Sequence, residues 1–172
     1  MTGRTHPLPA MPHRLMVFEI AGDSFAIPLD AVREILPLPL LSHPPGIPSF
    51  LEGFLNLGGQ AVPVLNPTRL FRLQGPAPSP YSHLVVLEKK GTPLAILVDH
   101  AAGATEVPKE SVMPVGQGLS FNDCLEGDIR IGMQTVHLLS IGKLLLEEEQ
   151  RRIAELRSME QERLRELEES PR

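Results

Sequence analysis

Apolar residues fall in short runs over most of the chain, and glycine and proline cut the runs apart. Residues 15–20 are long and apolar enough for one strand. Ala21-Gly22-Asp23-Ser24 carries turn residues and residues 25–27 return, which predicts a β-hairpin. Val32-Arg-Glu-Ile35 alternates at period two, the mark of a half-buried strand. Residues 36–48 hold too many prolines for a central strand, because proline donates no ladder hydrogen bond. Ser49-Phe-Leu-Glu52 has the pattern of a single helical turn. Residues 53–57 and 60–65 flank Gly58-Gly59, a pair suited to the positive φ angles of a tight hairpin turn. Asn66 then caps a short helix with Pro67 at its first position. After a loop over 74–80, residues 83–88 and 94–98 predict a third hairpin around the turn 89–92. Residues 124–131 and 136–139 predict a fourth. Many short strands without long intervening helices predict an all-β barrel or sandwich and disfavour a doubly wound α/β fold.

From Lys143 the pattern changes. Residues 143–169 contain neither proline nor glycine and consist of strong helix formers. Pairs Glu147–Arg151 and Glu148–Arg152 stand at i,i+4. Ile153, Leu156, Leu164 and Leu167 share a stripe that Glu160 interrupts, so a sustained coiled coil is not expected. The expected organisation is a disordered arm at 1–13, a β domain at 14–142 and a charged helix at 143–172. The helix is expected to dock at residues 144–146 and project beyond, with a frayed solvated tail over 155–172 as the alternative.

Composition narrows the function classes. Of 172 residues, 42% are hydrophobic, enough for a core. The net charge of −5 argues against a nucleic-acid binder, which needs concentrated basic surface. With no Trp and one Tyr, base-stacking platforms are not expected. Cys124 is the sole cysteine, so no intrachain disulfide or thiolate cluster can form, which suits a reducing compartment. The N-terminal residues lack the apolar stretch of a secretory signal, and no run approaches the roughly eighteen apolar residues of a membrane span.

Candidate chemistry is thin. No two of His6, His13, His43, His83, His100 and His137 stand at i,i+4 on a predicted helix. A metal site from His83, His100 and His137 would need long-range convergence. Cys124 has no local base and reads as a buried structural thiol. Asp99-His100 lacks a G-x-S-x-G elbow, and Asp99 reads as a turn or cap residue at a strand end. Gly116-Gln-Gly118 neither follows a strand nor opens a helix, so it reads as a mobile loop, not a phosphate cradle. No catalytic residue, metal or cofactor is expected, and backbone punctuation with apolar groups near loops favours protein–protein recognition.

Four stretches, in order, resemble the CheW family of chemotaxis coupling proteins. The first is Phe18-Glu-Ile-Ala-Gly-Asp-Ser-Phe-Ala-Ile27 with Val32-Arg-Glu-Ile35, similar to the opening hairpin and its V-x-E-I strand. The second is Pro48-Ser-Phe-Leu-Glu-Gly-Phe-Leu-Asn-Leu-Gly-Gly59 with Val62-Pro-Val-Leu65. The third is Leu94-Ala-Ile-Leu-Val-Asp99, and the fourth joins Leu125-Glu-Gly to Val136-His-Leu-Leu-Ser-Ile-Gly-Lys-Leu-Leu145. The resemblance runs from about residue 15 to 146. It implies two intertwined SH3-like five-stranded β-barrel subdomains, here followed by a long C-terminal α-helix. It implies a cytoplasmic adaptor, at receptor clusters under the membrane. The adaptor would join a chemoreceptor cytoplasmic tip to the regulatory domain of a CheA-type histidine kinase. It implies a receptor-binding groove at Val32, Glu34, Asn56, Leu57, Gly58 and Gly59, where helix-in-groove docking takes affinity from apolar burial and register from charge.

Two departures stand out. The arginine of the family's N-L-R-G turn is Gly58 here, and Asn66-Pro67-Thr68 replaces a charged D-L-R. The alternatives are therefore a pathway-specific member that has lost one standard partner, or a protein that self-associates through its C-terminal helix.

Overall fold

The computed structural model describes residues 13–89, 92–116, 118 and 124–169. The chain forms β1 (His13–Ile20), β2 (Asp23–Pro28), β3 (Val32–Pro37), β4 (Leu51–Leu57), β5 (Gln60–Leu65) and α1 (Pro67–Leu70). It continues through β6 (His83–Lys89), β7 (Thr92–Val98), β8 (His100–Val107), β9 (Val112–Pro114), β10 (Leu125–Ile131) and β11 (Gln134–Leu139) to α2 (Glu147–Glu169). The four expected hairpins and the capped helix α1 are present. The predicted arm lies outside the described residues except for His13, which opens β1. Ser49-Phe50 is a turn, and β4 has begun by Leu51, so no helical turn forms there. β8 and β9 were not foreseen, since β8 is Ala- and Gly-rich and alternates only weakly. Residues 90 and 91 of the turn at 89–92 and residue 117 of the glycine loop at 116–118 lie outside the described residues.

One sheet runs β8-β1-β2-β11-β10-β9 and the other β3-β6-β7-β5-β4. Each takes its central hairpin from one half of the chain and its flanking strands from the other, so the two barrels are intertwined as expected. Both contain one parallel junction between hairpins, Ala26 opposite Leu138 and Ala95 opposite Val64. The six-to-five strand count conceals a common plan. β9 sets Met113 opposite Asp128, and the other sheet has an isolated bridge from Ser42 to Phe54 in the same place.

The halves also repeat in sequence. Leu51-Glu-Gly53 recurs as Leu125-Glu-Gly127, and the same spacing separates Gly58 from Gly132, Gln60 from Gln134 and Val62 from Val136. Gly53 and Gly127 both sit at register shifts where another segment crosses the strand. A Cβ on Gly53 would lie 2.5 Å from the Ser42 carbonyl oxygen, and one on Gly127 would lie 2.8 Å from that of Met113. Each position needs glycine because backbone passes where a side chain would stand.

Three clusters hold the body. Leu15, Ala26, Val107, Ile129, Val136 and Leu138 fill the six-stranded barrel. Leu41, Leu55, Val62, Val64, Leu84, Val86, Ala95 and Leu97 fill the five-stranded one. Between them lies a third, with Phe18, Ile20, Ile27, Val85, Leu87, Ile96 and Val98. Cys124 is buried in that third cluster, as its reading as a structural thiol requires. Asp99 also keeps its expected role: its Oδ2 accepts the Ala21 N–H at 2.7 Å, where Ala21 takes a positive φ in the β1–β2 turn.

Helix α2 begins at Glu147, later than Lys143, and its path differs from the expectation. It does not project from residues 144–146. It lies along β5, and Ile153 and Leu156 pack on Leu51, Phe54, Ala61 and Leu65. Leu146 closes its N-terminus, donating its N–H to Glu149 Oε1 at 2.8 Å, and three glutamates fill the first turn where the helix dipole favours them. Arg152 pairs with Glu155 at 3.4 Å instead of Glu148.

Candidate docking surface

The expected groove residues fall in two places. Val32 and Glu34 stand on β3, at one edge of the five-stranded sheet, opposite Leu87 and Val86 with a register shift between them. Val32 packs against the cluster between the barrels. Asn56, Leu57, Gly58 and Gly59 form the β4–β5 turn on the opposite edge, and Leu57 packs on the interior of the five-stranded barrel. Leu36, also on β3, packs on that same interior cluster, so both edges of the sheet close over one core.

The turn is set by its residues. Gly58 and Gly59 take φ of 61° and 89°, and the Gly59 N–H donates to Asn56 Oδ1 at 2.8 Å. A Cβ at Gly58 would meet nothing within 4 Å. Where the resemblance led to an arginine, the turn has a left-handed position that favours glycine by its backbone, with no contact against a Cβ.

Sequence reasoning missed the groups that surround this turn. Gln161 of α2 donates Nε2–H to the Gly59 carbonyl at 2.8 Å and accepts the Ala61 N–H at 2.9 Å. The parallel ladder from β5 to β7 covers only Val64 and Leu65, so a side-chain amide serves where a neighbouring strand would have served. Glu160, 5% exposed, accepts the Ser42 hydroxyl at 2.7 Å. Arg163 lies 3.5 Å from Glu160 and donates to Ser42 Oγ at 3.3 Å. The signal was in the sequence: a glutamate inside an apolar stripe needs a polar partner if that stripe is buried. That partner is on the body, in the proline-rich loop.

Between this part of α2 and the loop runs a cleft of about 370 Å³, lined by Leu41, His43, Phe54, Asn56, Arg163 and Leu164 among others. Leu40, also on its wall, is 97% exposed. At the base of β5 the Asn66 Oδ1 caps α1 by accepting the Arg69 N–H at 3.3 Å, and its Nδ2 donates to Glu52 at 3.0 Å. Glu52 also faces Arg69 at 3.4 Å.

The histidines considered for a metal site stand on three strands, His83 on β6, His100 on β8 and His137 on β11. Among the described residues no group of three His, Cys, Asp or Glu side chains could hold a metal ion. His137 instead pairs with Asp128 at 2.7 Å and lies against the Phe25 ring. Among those residues no helix is long and apolar enough to cross a membrane.

Comparison with known proteins adds to this picture. The family model for the CheW-like domain matches residues 14–149, which takes in both barrels and only the start of α2. The chain is 26% identical over 149 residues to the chemotaxis protein CheW of Treponema pallidum, covering 83% of this chain and 88% of that one. It is 24% identical over 136 residues to the chemotaxis protein CheW of Klebsiella aerogenes, covering 78% and 82%. In structure it is similar to the scaffolding protein TtCheW from Thermoanaerobacter tengcongensis, with a TM-score of 0.73 at 20% identity over 87% of this chain and 96% of that one. With its two intertwined barrels and a family match across nearly all of the β body, the chain belongs to the CheW family.

Proposed function

We propose that this chain is a non-catalytic cytoplasmic adaptor that couples a chemoreceptor cytoplasmic tip to the regulatory domain of a CheA-type histidine kinase. The observation that carries the reading is the family match over residues 14–149, which spans both barrels. Receptor docking involves Val32 and Glu34 on the β3 edge together with the Asn56–Gly59 turn. The geometry of these residues suits that role. The turn is pinned by Asn56, and both sheet edges rest on one core, so a partner would meet a preorganised surface.

The test is binding of purified protein to a receptor-tip fragment and to a kinase regulatory domain. Val32 helps fill the cluster between the barrels, so Val32→Asp has a stability cost as well as a binding cost. Glu34, half-buried on an edge strand, is the cleaner site. Glu34→Lys is expected to weaken receptor-tip binding about tenfold or more, through charge reversal at the interface, with an unchanged melting temperature. Normal receptor-tip affinity in that variant would remove β3 from the docking surface. Failure of the wild-type chain to bind either partner would remove the coupling role.

A further inference from the structure

Gly59 sits at the tip of the β4–β5 hairpin, and side chains hold both of its backbone polar groups. Its N–H donates to Asn56 Oδ1 at 2.8 Å, and its carbonyl accepts the Nε2–H of Gln161 at 2.8 Å. The same Gln161 accepts the Ala61 N–H at 2.9 Å, so one amide spans the start of β5. Glu168, further along α2, also reaches this place: a Cβ on Gly59 would stand 3.1 Å from its Oε1. Burial accounts for only half of the arrangement. Ala61 is fully buried beneath α2, so its N–H needs an acceptor from the helix that covers it. Gly59 is half-buried, where water can serve a carbonyl, yet α2 serves it too.

The equivalent hairpin tip of the six-stranded barrel closes without such help. The repeat sets Gly132 at the place of Gly58 and Met133 at that of Gly59, and Met133 is 93% exposed. Among the described residues no side chain bonds the backbone of Gly132, Met133 or Gln134, and Ile131 still pairs with Gln134 across the turn. A hairpin of this spacing therefore forms without a clamp, and the clamp on Gly59 is added to the strand plan that both barrels share. Gln161 also lies beyond residues 14–149, the part of the chain that the family model matches.

We propose that Gln161 is a positioning residue for receptor docking: from α2 it fixes the Asn56–Gly59 turn in the conformation that the receptor tip meets. The inference rests on the coupling role proposed above, with the receptor docking at that turn. A turn of two glycines has more conformational freedom to lose than any other. Asn56 on one side and Gln161 on the other remove that freedom when the chain folds, so ordering the turn does not weaken association. The helix stays docked throughout, and Gln161 acts through the turn without touching the partner.

Two variants of the full-length chain separate the two bonds. Gln161→Ala removes both. Gln161→Glu keeps an acceptor for the Ala61 N–H and loses the donor to Gly59, so it carries the test if the alanine loosens α2. Asn66→Ala is the control, because it lowers stability at α1 without touching the turn. Each variant is checked for cooperative melting, and hydrogen exchange is read at the Gly59 amide. Binding to the receptor-tip fragment is measured by titration calorimetry well below every melting midpoint. Both Gln161 variants are expected to bind the tip about two- to tenfold more weakly and to exchange faster at the Gly59 amide, while Asn66→Ala binds as wild type does. Wild-type affinity in folded Gln161→Glu overturns the proposal and leaves the coupling role in place. An equal loss in Asn66→Ala also overturns it, since the effect would then follow stability and not the turn. A wild-type chain that does not bind the tip removes the coupling role and this inference together, so the wild-type titration tells the two failures apart.

Discussion

Replacing Gly53 by alanine tests how the proline-rich loop is held to the barrel. The new Cβ would lie 2.5 Å from the Ser42 carbonyl oxygen, well inside contact distance, and that oxygen belongs to backbone that cannot rotate away. Relief requires the loop to move off β4. Two backbone hydrogen bonds join them, Ser42 N–H to the Phe54 carbonyl at 2.9 Å and Phe54 N–H to the Ser42 carbonyl at 2.8 Å. Losing both costs about 1–3 kcal/mol. Leu41, buried in the barrel interior next to Ser42, would lose part of its burial, about 1 kcal/mol more. The sum of about 2–4 kcal/mol corresponds to a melting temperature lower by about 5–15 °C for a chain of this size. Thermal unfolding followed by circular dichroism measures it, and hydrogen exchange at the Phe54 amide shows whether the loss is local. Gly58→Ala is the companion variant: φ is 61° but nothing stands within 4 Å, so only a left-handed backbone penalty of about 1 kcal/mol is expected. If Gly53→Ala costs no more than Gly58→Ala, close backbone approach is not what requires glycine at position 53.

Other expectations follow from the same contacts. Asn66→Ala removes the cap of α1 and a bond to Glu52, and should lower stability by about 1–2 kcal/mol, read by urea denaturation. An unchanged midpoint would show that Pro67 alone sets the start of that helix. Glu160→Leu removes the bond from the Ser42 hydroxyl and the ion pair with Arg163 at a site that is 5% exposed. It should lower stability by about 1–3 kcal/mol, read by urea denaturation. An unchanged midpoint would mean that apolar packing at position 160 serves α2 as well as the polar contacts do.

The β body was legible because its turns are spelled out locally. Ala21-Gly22, Gly58-Gly59 and Asn66-Pro67 each carry turn or cap chemistry that can be read from the adjacent residues, although distant groups also bond to them. The family's motifs lie on those turns and on the strands between them, which is why their order identified the fold. β8 was missed because Ala101, Ala102, Gly103 and Ala104 carry little apolar signal, and it exists through pairing with β1. The repeat of Leu51-Glu-Gly53 as Leu125-Glu-Gly127 was also readable in the sequence and would have exposed the two-barrel plan directly.

What the sequence determined by itself was the set of elements: hairpins from turn chemistry, a capped helix from Asn66-Pro67, and a C-terminal helix from composition. What only the tertiary structure decided was where α2 goes. A helix stripe broken by a glutamate is compatible with a projecting rod, a frayed tail or a docked helix, because Arg163 can pair with Glu160 within the helix in any of them, whereas the docked helix adds a hydroxyl from outside the segment. Ser42 supplies that hydroxyl from a proline-rich loop, and Phe54 and Ala61 supply the apolar patch. Partner and patch are far apart in the chain and meet only after the barrel closes, so no local pattern could have placed the helix against the Asn56–Gly59 turn.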